Sequence, residues 1–367
     1  MASQLAALPI PSPASGFTYT FDTATLTFKR STQSFGPILA DRAETIGKGK
    51  FSFGLDYQQF TFDSIEGTDL SRIPAVFTHD DYQAGGGRAD VVTTRNSIEA
   101  SVAQVIPFIT YGISNRLDVS LAVPIVRAHL GVVSEATIQR IGTADDLLVH
   151  YFAEPNAPNG IGSQRQFVAE GTASGLGDLV VRLKGSAVKH RFLGVALGAD
   201  FRAPTGDEKN LLGCGAPGVK PFLALSMVWK RISPHLNVAY QWNGKSELAG
   251  DVKTGARADF PDQFLYAAGV DVGVNRRMSL ALDFLGQEII KSPRLYFRSF
   301  TAAGPTATQT FPDIGFRSDS FTQYNGSAGM KVNLTGNMLV IFNMAFKLND
   351  QGLRAKATPL IGLEFSF

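Results

Sequence analysis

Five histidines and one cysteine are the side chains of this sequence best suited to metal or nucleophilic chemistry. The histidines, His79, His129, His150, His190 and His235, are scattered, and no two have the i, i+2 or i, i+4 spacing that aims a pair of imidazoles at one metal. His129 lies near Ser134, a pair that a surface hydrolase could use, but nothing in the local sequence orients that imidazole. Cys214 stands in Gly-Cys-Gly with no second Cys or His beside it, so an inert loop thiol is expected. Gly160-Ile161-Gly162 and Gly175-Leu176-Gly177 look like fragments of phosphate loops, yet neither opens a helix, and they read as turn glycines. The acidic pairs Asp80-Asp81, Asp145-Asp146 and Asp207-Glu208 have the chemistry to hold calcium or cations that bridge lipopolysaccharide, but are expected to be solvated loop charges. No enzyme, cofactor or metal site is expected from these residues.

A second set of charges is more informative because of where alternation places it. Asp118, Asp178, Arg182, Lys184, Asp200, Arg202, Lys220, Asp271, Asp283, Lys331, Lys347 and Glu364 all fall on the polar parity of extended segments whose other parity is apolar. In a strand, successive side chains point to opposite faces. On the lipid face of a membrane barrel each of these charges would cost about 2–4 kcal/mol near the bilayer centre. They are therefore expected to face a lumen, either neutralising one another across strands or lining a solute path.

The elements that must position them carry a period of two. Ile361, Leu363, Phe365 and Phe367 alternate with Gly362, Glu364 and Ser366; Leu193, Val195, Leu197, Ala199 and Phe201 alternate with Gly194, Ala196, Gly198, Asp200 and Arg202. This pattern predicts about twelve strands, near 50–63, 96–112, 116–132, 177–189, 191–204, 218–230, 234–243, 263–274, 277–290, 321–334, 337–348 and 355–367. Tight turns are expected at Ser114-Asn115, Lys189-His190, Arg231-Ile232-Ser233, Asn275-Arg276 and Thr335-Gly336-Asn337, facing the periplasm. Long polar links, around 64–95, 133–176, 205–217, 244–262 and 291–320, are expected outside.

Composition agrees with this reading. The 367 residues include 37 Gly and 27 Phe, mean hydropathy is +0.03, and no run reaches the roughly 18 apolar residues of a membrane helix. A net charge of +2, spread along the chain, gives no basis for nucleic-acid binding. A soluble β-protein would need a second sheet to cover so many large apolar side chains. The expected architecture is all-β: a transmembrane antiparallel barrel over residues 50–367, with residues 1–49 as a periplasmic tail or a luminal plug. Met1-Ala2-Ser3 shows no basic region followed by an apolar core, so an exported chain is expected to be numbered here in a mature or recombinant form.

Ser34-Phe35-Gly36-Pro37-Ile38, Thr45-Ile46-Gly47-Lys48-Gly49-Lys50, the strand opening Gly175-Leu176-Gly177-Asp178, and Pro204-Thr205-Gly206-Asp207 with Leu212-Gly213 give the chain a family likeness. From about Phe35 to Phe367 it resembles the outer-membrane transporters labelled for the MetA pathway of phenol degradation. The resemblance implies kinship with channels for fatty acids and aromatic hydrocarbons, and it brings no catalytic residues. The function expected is passive uptake of small aromatic or hydrophobic solutes by a monomer. Its expected partners are outer-membrane lipid and lipopolysaccharide, the solute, and the barrel assembly machinery, which would read the terminal Phe367. The rival expectation is a non-conducting barrel that anchors surface loops or a partner complex.

Overall fold

The period-two segments pair into one closed antiparallel barrel of twelve wall strands. A computed structural model describes residues 35, 39–78, 89–143, 146–190, 192–304, 307–335 and 337–367, and the backbone of a separate hairpin, Tyr19–Asp22 with Thr27–Arg30. His79, Asp80, Asp81, Asp145 and Gly336 lie outside the described residues. The wall strands are β1 (Phe51–Ile65), β2 (Val91–Ser114), β3 (Leu117–Ala122 continuing as Ile125–Gln139) and β4 (Gln164–Leu176 continuing as Leu179–Lys189). Then follow β5 (Leu193–Ala203), β6 (Gly218–Met227), β7 (Ile232–Asn243) and β8 (Gln263–Gly273). The last four are β9 (Met278–Ala303), β10 (Thr308–Asn333), β11 (Met338–Lys347) and β12 (Leu353–Ala355 continuing as Ala357–Ser366).

Closure runs between the first and last strands. Leu360 to Ser366 pair with Gln58 to Ser52, and the ladder ends in a reciprocal pair, Phe51 N–H to Phe367 O at 3.2 Å and Phe367 N–H to Phe51 O at 2.8 Å. The seam is thus paired continuously from Phe51 to Gln58, as a strand in hydrocarbon requires.

The outer face is apolar. Phe53, Leu55, Leu121, Leu183, Leu197, Leu282, Phe342 and Ile361 are all exposed, and their strand neighbours point inward and are buried or half-buried. A soluble protein would invert this arrangement. Two aromatic belts bound the apolar band. Phe51 and Tyr111 mark the tight-turn end, with ring centroids 4.6 Å apart. Tyr240 and Trp242 (4.9 Å) and Phe284 and Tyr324 (5.6 Å) mark the other. The protein is an outer-membrane β-barrel.

Several links expected to be loops are strand instead. β3 reaches Gln139 and β4 begins at Gln164, while β9 and β10 continue as one ladder to the pair Ala303 and Thr308. Beyond the membrane both faces of a strand meet water, so alternation fades while the ladder persists. Gln164 to Thr172 are exposed on both faces. Inside, at the loop end, an apolar group blocks part of the lumen: Leu70 and Leu212, from two inward-folded loops, pack on Phe62, Ala100, Val102, Val126 and Ala128.

Candidate luminal site

The twelve charges expected on the inner face divide into four groups with different partners. Nearest the tight turns, Asp118 of β3 accepts a hydrogen bond from the Ile46 N–H (2.9 Å), and Lys184 of β4 donates to the Arg42 carbonyl (3.3 Å). Across the lumen, His235 of β7 lies 2.7 Å from Asp283 and 3.5 Å from Asp271, Glu364 accepts from the Ser52 hydroxyl (2.8 Å), and Lys331 is 1% exposed. Buried charges survive only when such partners are supplied.

The second group lies higher. Arg182 makes a bidentate pair with Asp200 (Nε to Oδ1 2.6 Å, Nη2 to Oδ2 2.8 Å), and Lys220 holds the same carboxylate at 2.9 Å. The register explains this, because Asp200 faces Arg182 on one neighbouring strand and Lys220 on the other. The Arg182 guanidinium also stands 5.0 Å from the centre of the Phe222 ring, a cation–π distance.

The third group, Asp178 and Arg202, holds a loop. Asp178 accepts from the Gly206 and Cys214 N–H groups (3.0 and 2.9 Å) and lies 3.9 Å from Arg202, which donates to the Ala216 carbonyl and to Asn243. Residues 204–217 are thereby drawn inward. Cys214 is buried within them; its thiol contacts the Ala216 carbonyl, and burial pushes its pKa up to about 12. Lys347, the fourth, sits at the rim with Asp350 (2.9 Å) and Asp63 (3.5 Å).

A segment before β1 fills the space between these walls. The Asp41 N–H donates to Asn237, Asn237 donates back to the Asp41 carbonyl, and Asp41 Oδ1 lies 2.7 Å from Arg182. The Ala43 N–H donates to Ser226, and Arg42 is 2% exposed. Wall side chains, not wall backbone, satisfy this stretch of main chain.

Above that segment lies a cavity of about 200 Å³. Leu39 and Asp41 form part of its lining, with Gln58 and Phe60 of β1, Phe222 of β6, Asn237 of β7, Leu265 of β8, Leu285 and Gln287 of β9, Gln323 and Asn325 of β10, and Arg354 and Thr358 of β12. Of the twelve expected charges, Arg182 and Lys220 line it. Phe60, Phe222, Asn237 and Arg354 are lining residues that the charge pattern missed. Arg354 falls on the same inward face as Thr358, Leu360 and Gly362, one residue before the strand start that alternation suggested.

Two further constellations resolve into structural roles. His129 bonds Thr172 (2.8 Å), while Ser134 donates to Asn96 (2.6 Å), so the pair is not joined. At the loop end, burial acts to raise the Asp90 carboxyl pKa, but hydrogen bonds from Thr143, His150 and the Gly142 and Thr143 N–H groups outweigh it and hold the group below the usual carboxylate range. Among the described residues no group of three or more His, Cys, Asp or Glu converges on a metal position.

A family model described as "Putative MetA-pathway of phenol degradation" matches residues 78–287. No curated protein sequence matches the chain. Among solved structures, an outer-membrane channel from Pseudomonas putida F1 is similar over 89% of this chain and 98% of its own, at 14% identity and a TM-score of 0.52. The toluene transporter TodX of P. putida aligns over 88% of this chain and 90% of its own, at 10% or less identity, namely 9%, and a TM-score of 0.38. The first of these shares the barrel fold.

Proposed function

The chain belongs to the MetA-pathway family of phenol degradation, and we propose that it is a passive outer-membrane channel for small aromatic or hydrophobic solutes. The observation that carries this reading is the luminal cavity, which joins aromatic and aliphatic side chains (Phe60, Phe222, Leu265, Leu285) to amides and cations in one space. An apolar ring loses little on entering such a space, and the amides replace the water of any hydroxyl it carries. In this reading the loop end faces outside, the tight turns face the periplasm, and residues 39–46 act as a plug beneath the cavity.

The test is conductance and solute flux of the purified full-length protein in planar bilayers and liposomes, beside a form that lacks residues 1–46. The full-length channel should pass phenol in liposome swelling with low ion conductance, and the shortened form should conduct ions freely. A second reading, a closed barrel that anchors its surface loops, draws on the packed charge layer around Arg42, and absence of flux from both forms would establish it.

A further inference from the structure

We propose that Arg354 is the anion-binding residue of a subsite for small aromatic carboxylates in the luminal cavity, a refinement that rests on the channel reading. Arg354 is 2% exposed and lines the cavity. Its hydrogen bonds all leave from Nη2, to the Tyr324 carbonyl and Asn325 Oδ1, each at 2.7 Å, and neither acceptor is charged. Nε is buried without a partner. The carboxylates that act on it electrostatically, Asp63 and Asp350, are engaged by Lys347 at 3.5 and 2.9 Å.

The other two cations of the cavity differ in this respect. Arg182 and Lys220 share Asp200, and Arg182 also holds Asp41. Two cations therefore meet two carboxylates inside the cavity, whereas Arg354 has no carboxylate within ion-pair distance among the described residues, Asp63 and Asp350 acting on it only from further off. A buried guanidinium with unused donors is costly unless an anion completes it, and carboxylate matches its planar fork.

The rest of the cavity limits what that anion carries. Phe60 and Phe222 offer apolar surface, and about 200 Å³ lies below the roughly 300 Å³ at which ordinary drug-sized sites begin. A single ring bearing one carboxylate uses both features. A phosphate dianion would bring more charge than one arginine offsets, and chloride would leave the apolar half unused.

The experiment compares benzoate with benzyl alcohol, its neutral counterpart, on the full-length protein, by calorimetry and by the shift each causes in melting temperature. Wild type should bind benzoate more tightly and be stabilised more by it than by the alcohol. Arg354→Gln, which retains a donor but no charge, should lose about tenfold or more in benzoate affinity while benzyl alcohol binding stays within about twofold. If Arg354→Gln fails to fold, the wild-type comparison still decides. Equal binding of the two probes, or an equal loss of both in the variant, overturns the carboxylate subsite. Liposome swelling with phenol is read separately: flux without benzoate preference leaves the channel and removes the subsite, whereas benzoate preference without flux keeps the subsite and removes the channel.

Discussion

Asp41 Oδ1 and Arg182 Nη1 meet at 2.7 Å, joining the segment before the first wall strand to the middle of β4. The same guanidinium binds Asp200 through its other two nitrogens, so one side chain fixes both the wall and what lies against it. Arg182→Ala would strand Asp200 with Lys220 alone and release Asp41. A loss of about 3–5 kcal/mol is expected, because one partner of a buried ion pair is left behind. Arg182→Met with Asp41→Asn, which keeps the Asp200–Lys220 pair and strands no carboxylate, should cost less, and unfolding midpoints of the two variants in detergent check the difference.

Sidedness is readable with engineered cysteines, since the native Cys214 is buried. Asn156→Cys, in the link between β3 and β4, should react with an impermeant maleimide on intact cells. Arg276→Cys, in the turn between β8 and β9, should react only after the outer membrane is opened. The reverse pattern would invert the assigned topology.

The native thiol supplies its own measurement. With a pKa raised to about 12 by burial, Cys214 stays protonated at neutral pH, and thiolate is the reactive form. Iodoacetamide at pH 8 should leave it unmodified in the folded barrel and alkylate it fully in denaturant. Asp178→Ala, which removes the acceptor of the Gly206 and Cys214 N–H groups, should make it reactive without denaturant.

The loop end should loosen in acid. A carboxyl whose folded pKa is lowered contributes stability that is present above the unfolded value of about 3.9 and is lost as pH falls through the folded value. Asp90 is such a group, and its partners Gly142, Thr143 and His150 belong to the link between β3 and β4. Asp90→Asn, which mimics protonation, should open this link to trypsin at pH 7. Wild type should resist trypsin there and lose its protection only in strong acid, where pepsin replaces trypsin as the probe.

Phe367 closes the seam by two backbone hydrogen bonds to Phe51 and presents its ring to the outside. Deleting it should lower the folded, heat-modifiable fraction on unheated gels. An undiminished fraction would show that the seam closes without its last pair.

Within the hydrophobic band the sequence was readable nearly strand by strand, because lipid on one side and polar contacts on the other force a period of two. Leu197 and Asp200 sort to opposite faces for that reason. Outside the band the constraint vanishes, and Arg294–Ala303 with Thr308–Asp319, read as part of a loop, are ladder. The site was readable only as a parity. Asp178, Arg182 and Lys331 all face inward, but where Leu39, Asp41 and Leu212 fold decides which inward residue meets open space. Those contacts join positions far apart in sequence, and no local pattern announces them. Arg354 shows the limit: it lies one residue outside the strand that alternation predicted, and its distance from any carboxylate is set by the fold and not by local pattern.

The seam between β1 and β12 also sets how far the segment before it can travel. The chain passes directly from Ile46, bonded to Asp118, to Phe51, the first residue of the closing strand. The four residues between them reach at most about 18 Å when extended, so Ile46 is tethered near the tight-turn end of the wall for as long as the seam stays closed.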